Sequence, residues 1–135
     1  MRFNDTTIRI LVRKDYGACF DFYTQKWGLV PTWGDRNGPY TSFAAKEGEK
    51  SFLALFLGAN TEAFKGYKQP KENIQPDTVV VVLPTNDVAG DYQHLKEKGV
   101  EFLGEPQFME EWGGFNAAYF RDPEGNLFEL MDGDA

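Results

Sequence analysis

The strongest constraint on the fold is an order of elements that occurs twice. A helix pattern ends at Gly28 and a second one at Gly99, about seventy residues later, and each glycine can take the left-handed conformation that terminates a helix. An aspartate that can cap the N-terminus precedes each helix, Asp15 in the first and Asp87 in the second. One strand pattern comes before each helix and three follow it. The sequence therefore predicts an α+β fold built from two βαβββ modules.

Short runs of β-branched and aromatic residues supply the strands. In the first copy, we predict strands at residues 7–13, 29–33, 40–45 and 50–57. In the second copy, we predict them at 78–83, 101–108, 115–121 and 127–131. We expect a single domain over residues 1–135, with module one at 6–57, a linker at 58–77 and module two at 78–132. A linker of this length serves either as a tether or as a cover for a pocket or dimer interface.

Charge and composition exclude several classes of partner. The 21 acidic residues outnumber the 14 basic ones, so the chain repels nucleic-acid phosphates and anionic lipids. The same charge favours a cationic ligand, or it simply maintains solubility. A lone cysteine, Cys19, cannot form an internal disulfide, and no run is apolar enough for a signal peptide or a membrane helix. We expect a cytoplasmic protein with neither nucleic acid nor membrane as partner.

Two segments connect this repeated order to a known family. Residues 22–29 read FYTQKWGL, and residues 118–130 read AYFRDPEGNLFEL, in which a D-P-E-G-N turn leads into an alternating strand. Together with the repeat, they resemble the vicinal oxygen chelate superfamily, which includes glyoxalase I, bleomycin resistance proteins and extradiol dioxygenases. The resemblance covers nearly the whole chain. It implies that each module forms a curved mixed sheet around a cavity.

The resemblance also implies where a metal would bind. In that superfamily, the first and fourth strands of each half provide one inward-facing His, Gln or Glu ligand apiece. The matching positions here are Ile8, Ala54, Val80 and Glu129, of which only Glu129 can ligate. A lone carboxylate holds a divalent cation weakly. The one histidine, His94, falls in the second helix, where we expect it to face solvent. We therefore expect no metal and no other cofactor.

What remains is an aromatic pocket with one carboxylate. The residues that share the ligand parity are Ile8, Ile10, Val12, Phe52, Ala54, Phe56, Val80, Val82, Leu127, Glu129 and Met131. Trp33 and Trp112 lie near strand ends beside glycines, where they either form the pocket mouth or pack on a sheet edge. The expected ligand-binding residues are Trp33, Phe52, Phe56, Trp112 and Glu129. We expect Glu129 to face the cavity, away from the helices, or to pair there with Arg9 or Arg121.

These expectations lead to a metal-independent protein that binds a small molecule and sequesters an aromatic or cationic compound, as the bleomycin resistance branch does in antibiotic resistance. The alternative is a glyoxalase- or dioxygenase-like enzyme, a lyase or an oxidoreductase, with Glu129 as base or as sole remaining metal ligand. A scaffold domain with a vestigial cavity is a third possibility. We also expect a homodimer whose symmetric contact helps to complete two equivalent pockets.

Overall fold

A computed structural model describes residues 8–12, 14–57, 79–110 and 113–133. The chain divides into two compact units, residues 1–70 and 71–135, and each contains one βαβββ module. We call them module one and module two and describe each by itself. The predicted linker at 58–77 lies outside the described residues. Among those residues, no helix is long and apolar enough to cross a membrane.

Module one begins with a strand and a helix. Strand β1 is Ile8–Leu11, and helix α1, Tyr16–Asp21, continues into one wider turn of π-helix at Phe22–Lys26. Strands β2 (Val30–Trp33), β3 (Tyr40–Ala44) and β4 (Leu53–Phe56) follow. In the sheet the order is β1-β4-β3-β2, with β1 parallel to β4 and the other neighbours antiparallel. The predicted mixed sheet of module one is confirmed.

The ends of α1 follow the sequence signals. The Asp15 carboxylate accepts a hydrogen bond from the Ala18 backbone N–H at 3.0 Å, as an N-cap should. At the other end, the Trp27 N–H donates to the Phe22 carbonyl at 2.9 Å, five residues back, which produces the wide turn. Gly28 then has a φ of 86°, which glycine adopts without strain, and the chain turns into β2.

Module two repeats this arrangement. Its elements are β5 (Val80–Pro84), α2 (Val88–Glu97), β6 (Gln107–Phe108), β7 (Asn116–Arg121) and β8 (Leu127–Met131), and the sheet order is β5-β8-β7-β6. Asp87 caps α2 by accepting from the Gly90 N–H at 2.9 Å, and Gly99 has a φ of 95° beyond its end. The two modules therefore share one topology, as the repeated order predicts.

One predicted strand, 101–108, is largely wrong. Only Gln107–Phe108 forms a strand, paired with β7, while Phe102 makes an isolated bridge to Phe120. Gly104 and Pro106 lie between these two points, and proline has no N–H to donate to a ladder. The apolar pattern of this segment favoured a strand, but the glycine and the proline interrupt its pairing with β7.

Each helix packs against one face of its own sheet. In module one, the buried Tyr23 ring lies 5.6 Å from the Phe43 ring, edge to face, and the Tyr16 hydroxyl reaches Thr41 at 2.6 Å. In module two, the Phe120 and Phe128 rings stack 5.2 Å apart on the face that α2 covers. These contacts occupy one face of each sheet. We call the opposite one the helix-distal face, and it is where a site can form.

Candidate functional site

Strand register decides which residues of module one share the helix-distal face. Strands β1 and β4 are parallel and align Arg9 with Ala54 and Leu11 with Phe56, so these four side chains lie on one face. The expectation that Ile8, Ile10 and Val12 share the face of Ala54 and Phe56 is wrong. Ile8 and Ile10 align instead with Leu53 and Leu55, whose side chains are buried on the helix side. Alternation within a strand does not give the register between strands.

A row of three aromatic rings crosses this face. The Trp33 ring lies 6.0 Å from the Tyr40 ring, and the Tyr40 ring lies 5.9 Å from the Phe56 ring, both edge-on. Trp33 is 66% exposed, whereas Tyr40 and Phe56 are half-buried. The structure thus brings two predicted site residues together through Tyr40, which sequence reasoning missed. Strand β3 carries an aromatic residue on each face, so its alternation could not single out Tyr40. We call Trp33, Tyr40 and Phe56 the aromatic row.

The two remaining predicted aromatic site residues are Phe52 and Trp112. Phe52 comes just before β4, and its ring lies 6.4 Å from the Trp27 ring at the end of the helical segment. It therefore contributes to the packing around Trp27 rather than to a contact within the row. Trp112 lies outside the described residues, and its part in a site stays a prediction.

Module two presents a different helix-distal face. Parallel pairing of β5 and β8 aligns Val80 with Leu127 and Val82 with Glu129, as the predicted set of pocket residues requires. Glu129 is only 7% exposed, and alternation along β8 places it on the face opposite to Phe128, away from α2 as expected. That this face lines a cavity stays a prediction. Aliphatic side chains of β5 and β8 line this face together with Tyr119 and Arg121 of β7, around the buried Glu129 carboxylate.

Tyr119 on β7 lies directly opposite Glu129 on β8. The Tyr119 hydroxyl donates a hydrogen bond to the Glu129 carboxylate. Burial raises the pKa of Tyr119, and the hydrogen bond to Glu129 and its negative charge act in the same direction. Nearby, the Arg121 guanidinium donates to the Gly125 carbonyl at 2.9 Å. The pairing of Glu129 with Arg9 or Arg121 stays a prediction.

The D-P-E-G-N turn sets the register that brings Tyr119 to Glu129. The buried Asp122 carboxylate accepts from the Glu124 N–H at 3.0 Å and from the Asn126 N–H at 2.9 Å. Gly125 has a φ of 91° within this turn. A turn fixed in this way aligns β7 with β8, so counting outward from it could have identified Tyr119 from the sequence.

Two hollows are lined by described residues of module two. One of about 130 Å³ lies against Tyr119 and Ala117, which is below the roughly 300 Å³ of a site for a drug-sized molecule. A larger groove of about 590 Å³ lies at the C-terminal end of α2, lined by Tyr92, Lys96 and Phe102 among others. There the Lys96 ammonium lies 5.4 Å from the centre of the Tyr92 ring.

The described residues do not fit the divalent cation of the superfamily. Beside Ala54, the position on β1 that faces the helix-distal side is Arg9, whose charge repels a metal ion. Beside Glu129, the position on β5 is Val82, which has no donor atom. Among the described residues, no three His, Cys, Asp or Glu side chains are close enough to hold a metal, and His94 is exposed on α2.

Comparison with known proteins identifies the family. A family model for the Glyoxalase/Bleomycin resistance protein/Dioxygenase superfamily matches residues 3–130. The uncharacterized protein YetH of Bacillus subtilis (strain 168) is 34% identical over 93% of this chain and 95% of its own, and YraH of the same organism is 30% identical over 91% and 93%. A superfamily member from Sphaerobacter thermophilus DSM 20745, solved by crystallography, is 25% identical and superimposes with a TM-score of 0.69 over 98% of each chain. The chain belongs to the glyoxalase/bleomycin resistance protein/dioxygenase superfamily.

Proposed function

We propose that this protein binds a planar aromatic small molecule without a metal and sequesters it. The aromatic row on the helix-distal face of module one carries the proposal, because Trp33 at its end is 66% exposed. A large exposed ring gains free energy when a ligand covers it, at roughly 25 cal/mol per Å² of apolar surface. Aromatic contacts contribute about 0.5–1.5 kcal/mol more, so a few of them give useful affinity.

The row is held in position from the helix side of the sheet. The Thr41 hydroxyl donates to the Asp35 carbonyl at 3.0 Å, and the Tyr16 hydroxyl lies 2.6 Å from the same Thr41 oxygen. These bonds tie the loop between Trp33 and Tyr40 to the buried core. A site that is ordered before binding loses less entropy when the ligand arrives.

The sequence leaves two ligand classes open, aromatic and cationic, and the contacts of module one favour the aromatic class. The Arg9 guanidinium carbon already lies 5.4 Å from the centre of the Tyr40 ring, where a ligand cation would bind. A second cation there would meet repulsion from Arg9. A planar ring that stacks on the row meets no such opposition.

The test is a binding screen with planar aromatic compounds, followed by a matched pair of variants. We expect Trp33→Ala to weaken binding by about tenfold, which corresponds to 1.4 kcal/mol. Phe108→Ala removes a ring of similar exposure, 61%, from module two and should leave the affinity unchanged. Equal effects of the two variants, or none from Trp33→Ala, would show that the row is not the binding site.

Independence from metal has its own test. A metal that binds only the native state stabilises it, so stripping a real site would lower the melting temperature. We expect chelators to leave the melting temperature unchanged. Stoichiometric metal in the purified protein, together with a clear drop on chelation, would contradict the proposal.

Glu129 supports a second function, that of a glyoxalase- or dioxygenase-like enzyme in which it acts as base. Its burial and its hydrogen bond from Tyr119 are the supporting observations, because a positioned carboxylate can accept a substrate proton. Compounds found in the screen would then be converted by the wild type and not by Glu129→Gln. Recovery of every bound compound unchanged after long incubation favours sequestration instead.

Sequestration in the cytoplasm would give resistance to a toxic aromatic compound.

We also propose that the active form is a homodimer. The support is a set of exposed apolar side chains at the sheet edges, Leu11 on β1 and Val80 on β5, which a second copy would cover. Sedimentation at micromolar concentration should show twice the chain mass of 15.3 kDa. A monomer alone would exclude the dimer.

A further inference from the structure

A cation lies beside the aromatic row. Arg9 is exposed on β1, and its guanidinium carbon is 5.4 Å from the centre of the Tyr40 ring, the middle ring of the row. Its neighbour on the same face is Ala54, which is too small to obstruct it. Within the described part of module one, no carboxylate forms an ion pair with Arg9, whereas Arg36 is paired with Asp21 at 3.0 Å.

This arrangement leaves the donors of Arg9 available to a ligand. A guanidinium that lies over a ring uses its flat surface in the contact, while its N–H groups point outward in the guanidinium plane. Those N–H groups form a fork that matches the two oxygens of a carboxylate. An aromatic surface and a carboxylate-binding fork are therefore side by side on one sheet face.

We infer that the ligand is a planar aromatic anion, such as an aromatic carboxylate, and that Arg9 determines the charge of the ligand that binds. The ring would stack on Trp33 and Tyr40 while the carboxylate accepts hydrogen bonds from Arg9. This inference rests on the proposed binding function and narrows it. It also reverses the preference for a cation that the net charge of −7 suggests. Net charge acts at long range and is screened beyond about 8 Å at physiological salt, whereas Arg9 touches the row itself.

Three probes of equal ring size separate charge from stacking: 2-naphthoate, neutral 2-naphthamide and 2-naphthylmethylammonium. With the full-length wild type, we expect calorimetric titration to show naphthoate binding about tenfold tighter than naphthamide, with the ammonium compound weakest. Raising the salt concentration should weaken naphthoate binding and leave naphthamide binding nearly constant.

The variants assign that preference to one residue. Arg9→Gln should reduce the ratio of naphthoate to naphthamide affinity from about tenfold to about one. Arg9→Lys keeps the charge but loses the planar fork, so an intermediate ratio is expected. Arg36→Gln is the matched control, since it removes an equal charge from module one at a residue already paired with Asp21, and it should preserve the ratio. Melting temperatures establish that each variant is folded.

The outcomes distinguish this inference from the proposed function. Equal affinity for all three probes, with binding still weakened about tenfold by Trp33→Ala, overturns the role of Arg9 and leaves aromatic binding in place. Tightest binding of the ammonium compound overturns the preference for an anion. A wild type that binds none of the probes contradicts both the role of Arg9 and the aromatic row as a binding surface.

Discussion

Modules one and two share a strand order and helix caps at corresponding places, but their helix-distal faces differ in chemistry. Module one presents the exposed Trp33 ring and the half-buried Tyr40 ring, with the Arg9 cation beside Tyr40. Module two presents aliphatic side chains around a buried carboxylate, Glu129, that is hydrogen-bonded to Tyr119. One face leaves aromatic surface exposed to solvent, whereas the other buries its carboxylate.

The difference shows which part of a repeated module is free to change. Side chains on the helix side of each sheet form the core, so any replacement there must preserve volume and apolar character. Exposed side chains on the helix-distal face, such as Trp33, do not carry that constraint. A repeated backbone can therefore keep its topology while one copy presents exposed ring surface and the other a buried hydrogen-bonded pair.

The largest expected effect tests whether the two helix-side cores are equivalent. Phe43 in module one and Phe128 in module two are both fully buried. Replacing either by alanine leaves a cavity, and we expect each variant to lose about 3–5 kcal/mol of unfolding free energy, measured by urea denaturation. The exposed Phe108→Ala is the control, with a change within about 0.5 kcal/mol. A loss below about 1 kcal/mol for only one core variant would break the equivalence.

A smaller effect separates the two tyrosine hydroxyls. Tyr16 in module one is hydrogen-bonded to the neutral Thr41 hydroxyl, whereas Tyr119 in module two donates to the Glu129 carboxylate. Hydrogen bonds to charged partners contribute about 1.5–3 kcal/mol and neutral ones about 0.5–1.5 kcal/mol. We therefore expect Tyr119→Phe to be more destabilising than Tyr16→Phe. A double-mutant cycle with Glu129→Gln tests whether the loss in Tyr119→Phe comes from the bond to Glu129. Zero coupling energy between positions 119 and 129 would show that it does not.

Much of the fold was predictable because its signals are local. The caps at Asp15 and Asp87 and the φ-positive Gly28 and Gly99 act within one helical turn of the residues they affect. The π-helical turn at Phe22–Lys26 was not predicted, since an apolar stripe at helical spacing is compatible with either kind of helix. The strand at 101–108 failed where local glycine and proline outweighed the apolar pattern.

The candidate site, like the fold, was predictable only where local sequence signals determine it. The face of Glu129 was predictable because alternation along a single strand, β8, decides it. The helix-distal face of module one was predicted wrongly because it depends on how β1 aligns with β4, and no short turn joins those strands. The sequence suggested Arg9 only as a partner for Glu129, and its place beside Tyr40 emerged from the structure. Tyr40 itself was missed because β3 has an aromatic residue on each face.

At alkaline pH, both modules should lose stability. Burial is the main cause that raises the pKa of Tyr16, and burial and Glu129 raise the pKa of Tyr119. An unfolded tyrosine ionises near pH 10, so above that value the unfolded state has lost a proton that the folded state retains, and stability falls with rising pH. Tyr16→Phe and Tyr119→Phe should each make this decline less steep between about pH 9 and 11. If the unfolding free energy of both variants falls with pH as steeply as that of the wild type, this prediction is contradicted.

The smallest expected effect is at acidic pH, where the modules should differ in their response to salt. Hydrogen bonds from Arg36, and to a lesser extent its charge, lower the pKa of Asp21 in module one, whereas hydrogen bonds from Asn116 lower the pKa of Asp132 in module two. Unfolded carboxylates take up protons first, near pH 4, so the stability that each aspartate contributes above that value is lost as pH falls through its folded pKa. Asp21→Asn and Asp132→Asn should each make the acid limb slightly shallower.

Salt then distinguishes the two aspartates. Asp21 and Arg36 are an exposed ion pair, whose attraction salt screens, while Asn116 is neutral. We expect 0.5 M NaCl to diminish the difference between wild type and Asp21→Asn in acid melting temperatures and to preserve the difference between wild type and Asp132→Asn. Equal salt sensitivity of both differences would mean that Asp132 depends on a charge rather than on the Asn116 hydrogen bonds, and the contrast between the modules at this level would disappear.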